Sequence, residues 1–416
     1  VDSANTEGYR SLIPFAILNT LTKNHPNYSK VPAGPLATGG IVDGSGKRWI
    51  DIPRGIEGLF LQNTDPFISD SDTNMWEKAL PHLKFAVAID VFISSTHELF
   101  PTGSYVLPEC TFLERTDAAA PTATATTVNV INKVVDPLHN SKSAYWILVS
   151  LAAKISELFG SEDSVPANKY FAKNAPVASY TLNAGSGRLH KLDTNREEDF
   201  IAAQWNNFDS QTWADLKAAG GRWKTNYHAT SAPTVRYAFT AATSGSTVNV
   251  RQIRQELENT SATTFSTPFV PHWIPPVPTT EKFPLRYMAG GKVMWHTMGA
   301  TSNLPYLVQD FAKEAPVRNT NCLMINPADA TARGIADGAW VFVASAAGRI
   351  RVQAWVTARI REGFVSLFSG FGHKAPSMKT ANQRGTNPAY LISSLRLDKG
   401  TGAATSNEEP VQVFKA

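Results

Sequence analysis

Three runs decide the fold of this chain. They are F-P-L-R-Y-M-A-G-G-K-V-M-W-H-T-M-G-A-T-S-N from Phe283 to Asn303, I-N-P-A-D-A-T-A-R-G-I-A-D-G-A-W-V-F-V from Ile325 to Val343, and G-F-V-S-L-F-S-G-F-G-H from Gly363 to His373. Short β-rich segments alternate here with Gly, Asp and Asn turns. His296, Thr297, Thr301, Asn303 and His373 fall where strands give way to loops. The pattern predicts a small barrel with a polar rim.

Upstream of the barrel lies P-H-W-I-P-P-V-P, from Pro271 to Pro278. Proline continues neither ladder type, so residues 271–280 read as a stiff linker between an α/β part, residues 1–270, and a mainly β part, residues 281–416. In the α/β part, Gly58 to Leu61 reads as a buried strand and Asn63 to Ser69 as the loop leaving it. A helix from Thr73 to Leu83 and the strand F-A-V-A-I-D ending at Asp90 follow. Strand, helix, strand is a βαβ unit, and open α/β sheets take ligands beyond the strands' carboxyl ends, where Asp65 and Asp90 stand. Each Asp also suits a helix cap or turn.

A third strand runs through Val106 and Leu107 and stops at Pro108. Helical spacing of apolar residues recurs from Tyr9 to Leu21 and from Ala144 to Leu158, and two further helices are expected around E-E-D-F-I-A-A-Q-W and T-W-A-D-L-K-A-A-G-G. The fragment G-S-G-K-R at Gly44 lacks the spacing of a phosphate-binding loop and reads as a turn.

A chain of 416 residues is long enough for two or three domains, and 43% hydrophobic with 18% charged residues is an ordinary globular composition. The formal charge of +4 comes without basic runs, which argues against nucleic acid as a partner. Cys110 and Cys322 are the only cysteines, too few for a disulfide framework, a cysteine zinc site or an iron–sulfur cluster held by this chain alone. There is no G-x-S-x-G elbow, no H-E-x-x-H and no internal repeat. No catalytic residue or metal ligand is nominated. The opening V-D-S-A-N-T-E-G-Y-R carries neither an initiator Met nor a signal-peptide core, and reads as the middle of a longer protein.

The order of these motifs resembles the carboxyl-terminal half of a molybdopterin oxidoreductase catalytic subunit of the dimethyl-sulfoxide-reductase superfamily. I-P-F-A-I-L-N-T-L-T-K-N with Gly39-Gly40 resembles the family's L-N-A-L-T-G-N and later G-G. Asp65-Pro66 stands where the family has G-x-N-P, and F-A-V-A-I-D-V-F-I-S-S-T resembles V-x-x-D-x-F-x-T-E-T. V-L-P-E-C-T-F-L-E-R-T-D and H-T-M-G-A-T-S-N are similar to the polysulfide and thiosulfate reductase versions, and G-F-G-H completes the set.

The resemblance implies a Rossmann-like, mostly parallel sheet followed by a double-psi barrel that binds molybdopterin dinucleotide. It implies a bis-molybdopterin guanine dinucleotide cofactor with Mo or W, held here by Asn63, Asp65, Asp90, His296, Thr297, Gly299, Thr301, Asn303, His373 and Asn387, with Gly370 and Gly372 admitting close backbone approach. It further implies oxidation or reduction of polysulfide, thiosulfate, tetrathionate or a related oxyanion in anaerobic or sulfur respiration. The expected partners are an amino-terminal half carrying the iron–sulfur cluster, an iron–sulfur electron-transfer subunit and a membrane anchor, on the extracytoplasmic face. The alternative is a scaffold subunit of a respiratory complex without pterin. Two departures stand out: Asp65 replaces the family's Asn, and S-S-T-H-E-L-F-P-T-G-S is longer than its counterpart and puts Ser104 where an acid is usual.

Overall fold

A computed structural model describes Pro14, Ile17, residues 30–32, 41–42, 48–51, 56–119, 127–159, Asp215, Ala218, and residues 222–224, 276–289, 291, 300–307, 320–393 and 407–416. The expected helices around residues 9–21, 197–205 and 212–221 lie almost wholly outside these residues, as do most of the proline cluster and the G-S-G-K-R turn. Two compact units are present. One comprises residues 1–88, 92–106 and 237–416; the other comprises 89–91 and 107–236.

In the first unit, strands Lys30–Pro32 (β1), Ile41–Val42 (β2) and Arg48–Asp51 (β3) make a small antiparallel sheet in the order β1-β3-β2. Gly58–Gln62 (β4) is followed by the helices Pro66–Ser69 and Thr73–Ala79, the second ending in the tight turn Leu80–His82. Phe85–Asp90 (β5) and Tyr105–Pro108 (β6) join β4 as three parallel strands in the order β4-β5-β6. The apolar spacing on β4 and on the helix beneath it is the cause: Leu59 and Leu61 alternate inward and meet Trp76, Ala79, Leu80 and Leu83. The two expected strands fall within a residue of their predicted bounds; the helix starts at Thr73 as expected but ends at Ala79, with the tight turn Leu80–His82 taking the place of its last turn, and a wider Rossmann-like sheet is not seen among the described residues.

The barrel closes as β10-β14-β11-β13-β12-β15, from Leu285–Ala289 (β10), Cys322–Ile325 (β11), Trp340–Ala344 (β12), Arg349–Val356 (β13), Phe364–Leu367 (β14) and Glu409–Lys415 (β15). Residues two apart on each strand point inward: Leu285 and Tyr287, Leu323 and Ile325, Val341 and Val343, Ile350 and Val352, Val365 and Leu367, Val411 and Val413. That period of two fills a closed barrel and leaves the alternate residues outside. Parallel pairs (β10 with β14, β11 with β13) mix with antiparallel ones, so long connections must cross the barrel ends, and these connections carry the polar residues. Helix Pro327–Ala332 lies in one of them, capped by Asn326, whose side chain accepts from Ala328 N at 2.9 Å.

The second unit holds the antiparallel strands Asp117–Ala119 (β7), Thr127–Ile131 (β8) and Arg222–Lys224 (β9), and the expected helix over Ala144–Phe159. Its Glu109 is buried and ion-paired to Arg115, and a capping box closes the turn Phe112–Glu114. Cys110 and Cys322 are both buried free thiols. No helix among the described residues is long and apolar enough to cross a membrane.

Candidate functional site

The loop leaving β4 begins with Asn63, exposed and in the left-handed region at φ 47°. Asparagine tolerates that conformation better than most residues, so the chain reverses sharply here. Two residues on, Asp65 caps the helix Pro66–Ser69 through its backbone: Ile68 N and Ser69 N donate to its carbonyl at 3.0 and 2.9 Å. Its side chain makes no helix cap. Oδ1 accepts from Thr96 N at 3.1 Å and from the Thr96 hydroxyl, which itself accepts from Phe67 N at 3.0 Å. The carboxylate is therefore turned into the protein, 7% exposed.

Asp65 Oδ2 lies 3.6 Å from Nδ1 of His373, whose Nε2 lies 2.9 Å from the hydroxyl of Ser302. His373 is 1% exposed and Ser302 fully buried. His97 is a second buried imidazole near Asp65. Its Nδ1 accepts from Ser94 N at 3.0 Å. Burial depresses the His97 pKa, and the negative charge of Asp65 opposes that shift only in part. Asp65 Oδ2, His373 Nδ1, His97 Nε2 and Ser94 Oγ all lack hydrogen-bond partners, so this interior has unspent hydrogen-bonding capacity.

Asn387, also predicted as a ligand, is engaged internally. Its amide donates to Phe67 O at 2.6 Å and Thr73 Oγ1 at 2.9 Å, and its oxygen accepts from Ala389 N at 3.0 Å, capping the turn Pro388–Leu391. Nearby, Lys374 N donates to Ser95 Oγ at 2.9 Å and the Ser377 hydroxyl donates to Ile93 O at 2.8 Å. Lys374 Nζ reaches Glu77 at 2.7 Å and the Tyr390 hydroxyl at 2.6 Å, and Tyr390 also donates to Glu77. Burial and then that acceptor hold the Tyr390 phenol far above its ordinary pKa. These bonds fasten the loop after β14 to the segments that follow β4 and β5.

The remaining predicted residues sit differently. Thr301 and Asn303, on the turn Ala300–Asn303, are half-buried, with Asn303 Oδ1 accepting from Thr380 N at 2.9 Å. Asp90, in the second unit, is half-buried at the carboxyl end of β5, and its Oδ1 accepts from Val91 N at 2.7 Å. His296, Thr297 and Gly299 lie outside the described residues. Ser104 accepts from Ala86 N at 3.0 Å, which puts it near the start of β5, away from the strands' carboxyl ends. Sequence reasoning passed over Thr96, Ser302 and Asn321. Asn321 bridges two loops by donating to Phe368 O and Thr386 O, both at 2.8 Å. Ser302 had one available signal, its place between two predicted ligands.

Two family models match the chain in order: molybdopterin oxidoreductase over residues 18–154 and molydopterin dinucleotide binding domain over residues 289–408, together more than half of it. The chain belongs to the molybdopterin oxidoreductases. It is similar to the thiosulfate reductase molybdopterin-containing subunit PhsA of Salmonella typhimurium, 23% identical over 88% of this chain and 44% of that protein. It is 31% identical to the F420-dependent formate dehydrogenase subunit alpha of Methanocaldococcus jannaschii over 30% of this chain and 17% of that one. Among solved structures, acetylene hydratase from Pelobacter acetylenicus shares the fold, with a TM-score of 0.55, 16% identity, and coverage of 88% of this chain and 45% of that chain. This molybdopterin oxidoreductase chain thus spans less than half the length of that thiosulfate reductase subunit and of the acetylene hydratase chain.

A molybdopterin dinucleotide presents phosphates, a ribose and two heterocycles rich in donors and acceptors. The residues of this molybdopterin oxidoreductase fit such a group. Asn63, Thr301 and Asn303 bring amide and hydroxyl groups to partly exposed loop ends of the first unit, and Asp65, His373 and Asn387 brace its loops from inside. Among the described residues no group of three or more His, Cys, Asp or Glu could hold a metal.

Proposed function

We propose that this chain is the carboxyl-terminal part of the catalytic subunit of a molybdenum or tungsten oxidoreductase that acts on thiosulfate, polysulfide, tetrathionate or a related sulfur oxyanion. The observation that carries the reading is the pair of family matches, placed in order on a three-strand parallel unit and a closed barrel. The sulfur substrate draws on the similarity to a thiosulfate reductase subunit along 88% of the chain.

Asn63, Asp65, Asp90, His296, Thr297, Gly299, Thr301, Asn303, His373 and Asn387 are assigned to the bis-molybdopterin guanine dinucleotide site, within a Rossmann-like part (residues 1–270) and a double-psi barrel (residues 281–416) joined by the proline linker. Asn63, Thr301 and Asn303 would meet the cofactor's polar groups, Asp90 would accept from its guanine or ribose, and Asp65, His373 and Asn387 would set the loops. When bound, the cofactor supplies two-electron atom-transfer chemistry, and the protein's share is binding, orientation and exclusion of water. An amino-terminal half with an iron–sulfur cluster, an iron–sulfur subunit and a membrane anchor on the extracytoplasmic face complete the assembly in this reading.

A second reading, a pterin-free scaffold subunit, draws on the inward turn of Asp65, His373 and Asn387. One experiment separates the two: purify the chain with its companion half, measure Mo and W by mass spectrometry, and look for oxidised-pterin fluorescence. Metal and pterin together support the oxidoreductase. Their joint absence refutes it and favours the scaffold.

A further inference from the structure

We propose that Asp65, His373 and Ser302 form a buried positioning chain that locks three loops of the dinucleotide site together and holds His373 as its Nδ1–H tautomer. The three residues come from the loop after β4, the loop after β14 and the turn Ala300–Asn303. Two of them neighbour residues assigned above to the cofactor: Asn63 is two positions from Asp65, and Thr301 and Asn303 flank Ser302. The bearing on the cofactor rests on the function proposed above; the tautomer does not.

The tautomer follows from which atoms are already engaged. Asp65 Oδ1 is occupied by the Thr96 amide and hydroxyl, so Oδ2 is the oxygen left to face His373. Oδ2 and His373 Nδ1 lie 3.6 Å apart, and neither has a hydrogen-bond partner. Two lone pairs facing each other at that range in a water-poor interior repel, whereas a proton on Nδ1 makes the same contact attractive. Nε2 then offers a lone pair, and the Ser302 hydroxyl at 2.9 Å donates to it. Carboxylate, imidazole and serine in this order also occur in nucleophilic hydrolases, but Ser302 is fully buried and reaches no substrate. The arrangement therefore acts on position.

This chain gives the carboxylate at position 65 a reason to be there. An asparagine at that position, keeping its oxygen on Thr96, would turn its N–H toward His373. Nδ1 would then have to accept, the proton would move to Nε2, and Ser302 would rotate from donor to acceptor. D65N is close to isosteric, yet it should reverse the direction of every hydrogen bond beyond it.

The test is side-chain nitrogen NMR of the full chain with ¹⁵N-labelled histidine, at about pH 8 where an ordinary imidazole is neutral, with the His373 signal assigned by its loss in His373→Gln. The expected result is Nδ1–H in the wild type and Nε2–H in D65N. In the assembly with the companion half, D65N and Ser302→Ala should retain roughly tenfold less pterin through gel filtration, the lower end of what partners once removed from a bound metal contribute. Ser302→Thr, which keeps the hydroxyl, should restore it. Nε2–H or protons on both nitrogens in the wild type would overturn the proposal, and this needs no variant to fold. An unchanged tautomer in D65N, or a reversed tautomer with full pterin retention, would overturn it too. A wild-type assembly without pterin would instead defeat the function proposed above and leave the tautomer to decide the chain.

Discussion

Gly372→Ala tests the packing that places His373. Gly372 has φ +84°, and an added Cβ would lie 2.3 Å from Asn387 N and 2.7 Å from Thr386 C, both backbone atoms that cannot rotate away. Gly363 supplies a matched control at φ +82° with nothing within 4 Å of its added Cβ. The left-handed backbone costs an alanine about 1–2 kcal/mol at either position. Relief of the clash at residue 372 requires residues 386–387 to retreat by about 1 Å to reach ordinary van der Waals separation. That segment is held by the three side-chain bonds of Asn387 and by Asn321, which accepts from Thr386 N at 2.9 Å and donates to Thr386 O. Losing two or three of these at about 1 kcal/mol each adds about 2–3 kcal/mol for Gly372→Ala alone. Urea unfolding followed by tryptophan fluorescence should place its midpoint about 1 M below that of Gly363→Ala, for a slope of about 2–3 kcal/mol per molar. Coincident midpoints for the two variants would refute the reasoning, because they differ only in the space available.

The depressed pKa of His97 fixes a direction for acid sensitivity. The unfolded chain takes up the proton as pH falls through the ordinary imidazole value of 6.5 while the folded chain resists, so stability is full above that pH and declines below it. His97→Gln should flatten that part of the stability–pH curve; an unchanged slope would show that His97 does not set it. Asn387→Leu removes the donor to Phe67 O and Thr73 Oγ1 in a buried setting and should cost about 2–4 kcal/mol, read by thermal unfolding, with Asn387→Asp also destabilising because it loses both N–H groups. Tyr390→Phe should cost no more than about 1–2 kcal/mol, since Lys374 keeps Glu77 when the phenol is gone; a larger loss by the same measurement would mean the hydroxyl orders the pair. Asn326→Ala should cost about 0.5–2 kcal/mol by removing the cap on Pro327–Ala332, checked by urea unfolding.

Much of the fold was legible because its signals are local. The alternation of Leu323 with Ile325 and of Val341 with Val343 announces strands wherever they pair, and Asn326-Pro327 announces a helix start without reference to the rest of the chain. The loop ends carrying Asn63, Thr301 and Asn303 could be located the same way. What those side chains face was not legible. Asp65, His373 and Asn387 were all read as groups offered to a ligand, and in the structure all three are buried and bonded or aimed at protein.

The sequence by itself determined which segments become strands, where the chain turns, and, through motif order, the family to which it belongs. Tertiary structure alone decided which way the polar groups point. Asn387 meets Phe67 across 320 positions and Ser302 meets His373 across 71, so each partner is chosen by how the loops dock and by nothing in its own neighbourhood. The barrel rim is polar in either view; only the docked loops settle which polar groups are spent on the protein and which remain at its surface.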